Sequence, residues 1–292
     1  MACIEKGEGP VVSAFRPDTL QEALAILHEH RVIPFAGGTD LMVQRRRGSG
    51  LLPTFEYPVL FIGHLDELKE VRSGDGKVRI GSVCPYSFLL GDERVPWSFK
   101  RVLIQIASPA IRNRGTVGGN IVNASPAGDT LPYLYAFDAE ALVQKWDAQR
   151  LIHVRDLVTG PGQTALTPGE LLTAVIITQV PFNRFFYKKV GSRKANSCSK
   201  LSFLGIALVE DGVVLDVRMC FGAVAPTVVR DRKIEEELVG KEVGKMGDMI
   251  PGIVRTYESL IKPIEDQRCT IRYRKEISFR LLEHFLGTVL VL

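Results

Sequence analysis

"GTVGGNIVNASPAGDT", Gly115 to Thr130, holds four glycines, two alanines, two asparagines and one charge, Asp129. Fixing a glycine loses more chain entropy than fixing any other residue. So bare a run is either a slack connector or a backbone that something large must approach. "FAGGTDL", at 35–41, is a second segment of the same kind. Paired glycines let backbone N–H groups reach phosphate oxygens with no Cβ in the way. Thr39, Thr116, Asn120 and Ser125 add small donors. Asp40 and Asp129 can accept from a ribose or ribityl hydroxyl or from a loop amide. One Gly-Gly pair reads as a tight turn. Two pairs, both following apolar segments and both rich in donors, read as a dinucleotide held between two stretches of chain.

The totals limit what else the protein does. A chain of 292 residues is long enough for two or three domains with buried cores. Its 46% hydrophobic and 24% charged residues suit a globular enzyme. No window approaches the roughly 20 apolar residues of a membrane span. "MACIEKGEGP" lacks the basic region and apolar run of a secretory signal, so a cytoplasmic protein is expected. A net charge of +4 does not call for nucleic acid. The five cysteines (Cys3, Cys84, Cys198, Cys220, Cys269) stand singly. That argues against a disulfide framework, a zinc site or an iron–sulfur cluster held by this chain alone. His28 and His30, two residues apart on a helix, point to different faces. No metal ligands are expected. The basic run "QRRRGSG", 44–50, reads as a solvated helix end, with a docking patch for an acidic partner as the alternative.

Around the two glycine segments the periodicities alternate. "FRPDTLQEALAILHEH" reads as a helix, with Pro17 in its first turn and Asp18 at the positive end of its dipole. "RVIPFAGGTDLMVQRRR" runs from a strand through Gly-Gly into a second helix capped by Thr39 or Asp40. "PVLFIG", "GKVRIGSV" and "GELLTAVIITQV" read as strands, "WSFKRVLIQIAS" as a helix, and "EALVQKW" with "RLIHV" as a hairpin. Beyond Pro181 the pattern changes to two long strands joined at "EDG", followed by amphipathic helices at "DRKIEEELVG" and "TIRYRKEISFRLLEHFL".

Familiar catalytic patterns fail on inspection. "GPGQTA", 160–165, is the one relaxed match to GxGxxG, and Pro168 interrupts any helix after it. There is no GxxxxGK[ST] loop and no GxSxG elbow, and "SCSK" stands without SDN or KTG. No nucleophile or general acid is assigned.

"IPFAGGTDL", "ASPAIRNRGTVGGNIVNASPAGDTLP" and "FYKKVGSRKA" together resemble the FAD-binding medium subunit of molybdenum hydroxylases, the family of xanthine, carbon monoxide and aldehyde or nicotinate dehydrogenases. "FGAVAPTVVR" and "RCTIRYRKE" resemble that subunit's C-terminal domain. The resemblance implies an α+β chain. A vanillyl-alcohol-oxidase-like (PCMH-type) FAD domain would span 1–181, as two α/β subdomains of about 1–58 and 59–181. An α+β C-terminal domain would follow at 182–292. It implies that Ile33, Pro34, Phe35, Ala36, Gly37, Gly38, Thr39 and Asp40 wrap the FAD pyrophosphate and its surroundings. Thr116, Gly118, Gly119 and Asn120 would complete the cradle, with Ser125 as a further donor and Asp129 in contact. Ile106 would lie beside the flavin ring, with Leu172 and Lys189 at further contacts.

No histidine lies near either Gly-Gly segment, so non-covalent FAD is expected. Lacking clustered cysteines, the chain should not carry the extra [4Fe–4S] cluster of the benzoyl-CoA-type branch. By the same resemblance, molybdopterin belongs to a large partner subunit, [2Fe–2S] clusters to a small one, and NAD is the expected electron acceptor. "SPAGDT" and "GPGQT" look most like the xanthine dehydrogenase branch. "GSRKA" and "ANSCSK" depart from the family's usual "GRRKA" and its aliphatic continuation, so the role of 191–200 stays open. Two rivals remain. One is a free-standing FAD oxidoreductase of the same fold, and the other is a nucleotide-binding assembly subunit without redox activity.

Overall fold

The computed structural model describes residues 13–292. The expectations for "MACIEKGEGP" and Cys3 lie outside the described residues. A first unit comprises β1 (Ala14–Phe15), α1 (Leu20–Glu29), β2 (Ile33–Phe35), α2 (Leu41–Gln44) and β3 (Val59–Phe61). The three strands form a parallel sheet in the order β1-β3-β2. Parallel strands need crossover connections, and α1 supplies the one from β1 to β2, which flank β3 on either side. The helix begins later than Pro17 and Asp18 suggest. Thr19 caps it by accepting from the Glu22 N–H at 3.1 Å, while Glu22 accepts from the Asp18 N–H at 2.8 Å. Ala23 and Leu24 on its inner face pack with Leu60, Leu65 and Leu68. The expected break at 58/59 falls just before β3, so the first sheet runs past it.

The second unit is a five-stranded antiparallel sheet, β4-β5-β10-β6-β7, of β4 (Val71–Gly74), β5 (Lys77–Gly81), β6 (Glu140–Lys145), β7 (Ala148–His153) and β10 (Leu171–Thr178). A small ribbon, β8 (Val158–Gly160) with β9 (Gln163–Thr164), stands beside it. Its helices are α3 (Tyr86–Gly91), α4 (Trp97–Leu103), α5 (Pro109–Arg112), α6 (Val117–Asn123), α7 (Leu131–Ala136) and α8 (Val154–Leu157). The glycine-poor, apolar β10 is the middle strand and is buried along most of its length. The bare run at 115–130 is not slack: its first half folds as α6, capped by Thr116, and that helix ends at Ala124 in the left-handed conformation.

The third unit is the antiparallel meander β11 (Arg184–Val190), β12 (Leu201–Glu210) and β13 (Val213–Gly222). Asp211 and Gly212, with φ of 49° and 74°, make the tight turn that "EDG" announces. α9 (Arg232–Leu238), α10 (Met246–Leu260) and α11 (Ile271–His284) follow. The sequence hides α10 behind Gly247, Pro251 and Gly252. It forms because Met246, Ile253 and Tyr257 bury against the sheet, and such packing outweighs poor intrinsic propensity. The meander has two apolar faces. Tyr187, Leu204, Ile206 and Cys220 join the core of the second unit, while Phe203, Val217, Met219 and Phe221 join the core under α10 and α11. Among the described residues no helix is long and apolar enough to cross a membrane, and no cluster of His, Cys, Asp and Glu is placed to hold a metal.

Candidate functional site

A cavity of about 400 Å³ opens between the first two units. Both Gly-Gly segments line it, and they touch each other. Gly37 lies so close beneath the other segment that a Cβ built on it would sit 1.8 Å from the Arg114 carbonyl oxygen. Gly118 serves packing in the same way: its Cβ would sit 2.6 Å from Ser82, so only glycine lets α6 meet the end of β5.

The two segments differ in the donors they offer. The Gly118 N–H donates to the Ser82 carbonyl at 2.9 Å, and the Gly119 N–H donates to Thr116 Oγ1 at 3.0 Å. Those donors are satisfied within the protein. The N–H groups of Gly37, Gly38, Thr39 and Asp40 have no partner among the described residues. A run of consecutive free N–H groups is an anion-binding concavity. Asp40 takes the N-cap position of α2, yet neither it nor Thr39 caps the helix with its side chain. Asn123 on α6 competes for the Asp40 carboxylate and donates to it at 3.0 Å, while the Asn123 carbonyl accepts from Gln44 at 2.9 Å. These bonds tie α2 to α6 at the cavity rim.

Of the residues singled out from sequence, Ile33, Pro34, Ala36, Gly37, Gly38, Thr39, Asp40, Thr116, Gly118, Gly119, Asn120 and Leu172 line the cavity. Phe35 does not, its ring packing instead at a tilt against that of Phe61, with centroids 5.2 Å apart. Ser125 closes a local turn by accepting from the Ala127 N–H at 3.3 Å. Ile106, Asp129 and Lys189 stand apart from the lining, at the seam with the C-terminal meander. There Lys189 Nζ donates to Asp129 Oδ2 at 2.6 Å and to the Gln105 carbonyl at 3.1 Å, while Ser199 Oγ donates to Asp129 Oδ1 at 2.5 Å. The Lys189 and Asp129 side chains are 8% and 10% exposed, so Lys189 is no surface lysine. Asn120 joins this cluster to the cavity, its carbonyl accepting from the Thr130 hydroxyl at 2.6 Å.

Residues 10–180 match the FAD binding domain in molybdopterin dehydrogenase, and residues 186–289 match the CO dehydrogenase flavoprotein C-terminal domain. The chain belongs to the FAD-binding medium-subunit family of molybdenum hydroxylases. Like other medium subunits it is an FAD oxidoreductase component. The glyceraldehyde dehydrogenase medium chain of Sulfolobus acidocaldarius is 29% identical over 273 residues, covering 92% of this chain and 94% of that one. The nicotinate dehydrogenase FAD-subunit of Eubacterium barkeri is also 29% identical, covering 90% of each chain. The xanthine dehydrogenase FAD-binding subunit of Escherichia coli O157:H7 is 27% identical over 77% of this chain and 78% of its own. In structure, CO dehydrogenase from Oligotropha carboxidovorans superposes with a TM-score of 0.86 over 96% of this chain and 98% of that one, at 23% identity.

Sequence reasoning passed over several lining residues of the medium subunit. Ser82 Oγ is buried without a hydrogen-bond partner. Tyr86 is buried too, and burial with the nearby charges of Asp129 and Asp40 holds its hydroxyl above the usual phenol range. Neither residue sits in a motif, because each reaches the cavity through tertiary packing. Glu170 lies at the far wall and is clamped by Arg150 at 2.7 and 2.8 Å and by the Thr167 N–H at 2.7 Å. The Arg150 hydrogen bonds, against some opposing burial, draw its carboxyl down to about 2. A depressed folded-state value adds stability above the unfolded-state value and loses it as pH falls. Glu170→Gln should therefore lower stability near neutrality, and the deficit should close between about pH 4.5 and 2. Urea unfolding across that range reads it, and a deficit unchanged with pH would refute the ionic role.

Proposed function

We propose that this chain is the electron-transfer flavoprotein subunit of a heterotrimeric molybdenum hydroxylase in the cytoplasm, with the FAD domain at 1–181 and the C-terminal domain at 182–292. The observation that carries the reading is the row of unpartnered N–H groups from Gly37 to Asp40, on residues that line the cavity where a Cβ at Gly37 would push the two Gly-Gly segments apart. That donor set fits a pyrophosphate. The unpartnered hydroxyl of Ser82 offers one more polar contact in the same cavity. When bound, FAD supplies the capacity to take electrons singly and release them in pairs.

The protein's own part is binding, orientation and charge. Ile33 to Asp40 hold the pyrophosphate region, with Thr116, Gly118, Gly119 and Asn120 closing the cradle. Asp40 and Asp129 accept from cofactor hydroxyls or amides, and Ser125 and Leu172 add contacts. Ile106 flanks the flavin ring, and the Lys189 ammonium favours negative charge there. No histidine or cysteine lines the cavity among the described residues, which supports non-covalent FAD. Electrons would come from [2Fe–2S] clusters of a small subunit, after a molybdopterin-bearing large subunit oxidises the substrate, and leave to NAD⁺. The purine branch is the finer reading, on "SPAGDT" and "GPGQT", with the E. coli relative in support.

Expressed alone and folded, the chain should show a flavin absorption spectrum and release the flavin on acid precipitation. A folded chain without flavin sinks the proposal, and flavin that stays with the precipitate sinks the non-covalent part. Co-purification with an iron–sulfur chain and a molybdopterin chain separates this reading from a free-standing oxidoreductase.

A further inference from the structure

Segment 191–200, whose role the sequence left open, is fastened on both sides of the seam. The Asn196 N–H donates to the Ala107 carbonyl at 2.9 Å, next to Ile106, and the Lys200 N–H closes back on Val190 at 2.8 Å. Between these fastenings Ser199, only 1% exposed, directs its hydroxyl at Asp129. The Asp129 carboxylate is thus gripped by Lys189 on one oxygen and Ser199 on the other. Lys189 uses two of its three N–H donors on Asp129 and Gln105 and keeps one. We infer that Ser199 is a positioning residue for the flavin: by fixing the Asp129 carboxylate it holds the Lys189 ammonium charge-balanced and in place, and so sets the flavin's reduction potential and its dependence on pH. This rests on the proposed function, in which Lys189 neighbours the ring.

The charges around Asp129 make the effect specific. Burial pushes its carboxyl up, and Lys189 and Ser199 pull it back. Among the described residues, the other titratable groups that feel its charge are Tyr187, two residues before Lys189 on β11, and Tyr86 on α3. Burial, with the Asp129 charge, holds both hydroxyls above the usual phenol range. Asp129 is therefore the group whose charge the Ser199 hydroxyl bears on directly. Without the Ser199 hydroxyl it takes up a proton at higher pH. Once it is neutral, the Lys189 charge is unbalanced and favours the reduced, negatively charged ring.

The test is the midpoint potential of the FAD-loaded full chain, titrated across pH. Ser199→Ala should move the inflection to higher pH and raise the potential between the old inflection and the new one. Ser199→Thr should restore the original curve. Asp129→Asn should abolish the inflection, and adding Ser199→Ala to it should change nothing further. A Ser199→Ala curve lying on the wild-type curve overturns the inference, as does a shift that persists in Asp129→Asn. Should Ser199→Ala hold no flavin, carboxyl NMR titration of Asp129 in the flavin-free chains reads the same upward shift or its absence. A folded wild-type chain without flavin refutes the proposed function and with it the effect on potential, whereas the flavin-free titration separately confirms or refutes the Ser199–Asp129 link.

Discussion

Gly37→Val should strip the protein of flavin and destabilise it together. The added Cβ would lie 1.8 Å from the Arg114 carbonyl oxygen and 2.6 Å from its carbon, and backbone cannot swing aside as a side-chain tip can. Relief requires the two Gly-Gly segments to part, and that opens the cavity wall. Overpacking of this kind costs about 3 kcal/mol, the upper end of the common range. Gly119→Val is the control. Its Cβ would meet only the Thr116 side-chain oxygen, at 2.9 Å, so the fold should survive while the longer side chain intrudes on the cavity. The flavin-to-protein ratio should fall in both, and urea unfolding distinguishes them. Gly37→Val with wild-type flavin content would mean that the segments do not meet as described.

Lys189→Met should be the most destabilising single change at the seam, by about 3–5 kcal/mol, because it leaves a buried carboxylate facing Ser199 alone. Measured on flavin-free protein, the loss reflects the ion pair and not the cofactor. Adding Asp129→Asn should recover much of it, since the uncompensated charge is then gone. If Lys189→Met unfolds at the wild-type urea concentration, the pair contributes nothing and Lys189 must lie in water.

Local chemistry made part of this molecule readable in advance. The periodicity of Leu20 to Leu27, the Asp211–Gly212 turn and the long strands beside it follow from rules that act within a few residues. So did the two Gly-Gly segments, though not their division of roles. Nothing local distinguishes the free N–H groups of 37–40 from those of Gly118 and Gly119, which Ser82 and Thr116 satisfy. Ser82, Tyr86 and Glu170 reach the cavity from separate elements, and α10 rests on burial that its glycines and proline disguise. Asp129 was visible as a lone charge. Its partners Lys189 and Ser199, 60 and 70 residues further on, were not visible as partners.

The meander with two apolar faces makes the boundary near residue 181 one of sequence only. Tyr187, Leu204, Ile206 and Cys220 belong to the same packed interior as Tyr133 and Phe137. A chain cut there would open that interior to water from both sides of the cut. The sheet acts as a shared wall, and a C-terminal half transplanted from a relative must fit the neighbours on both of its faces.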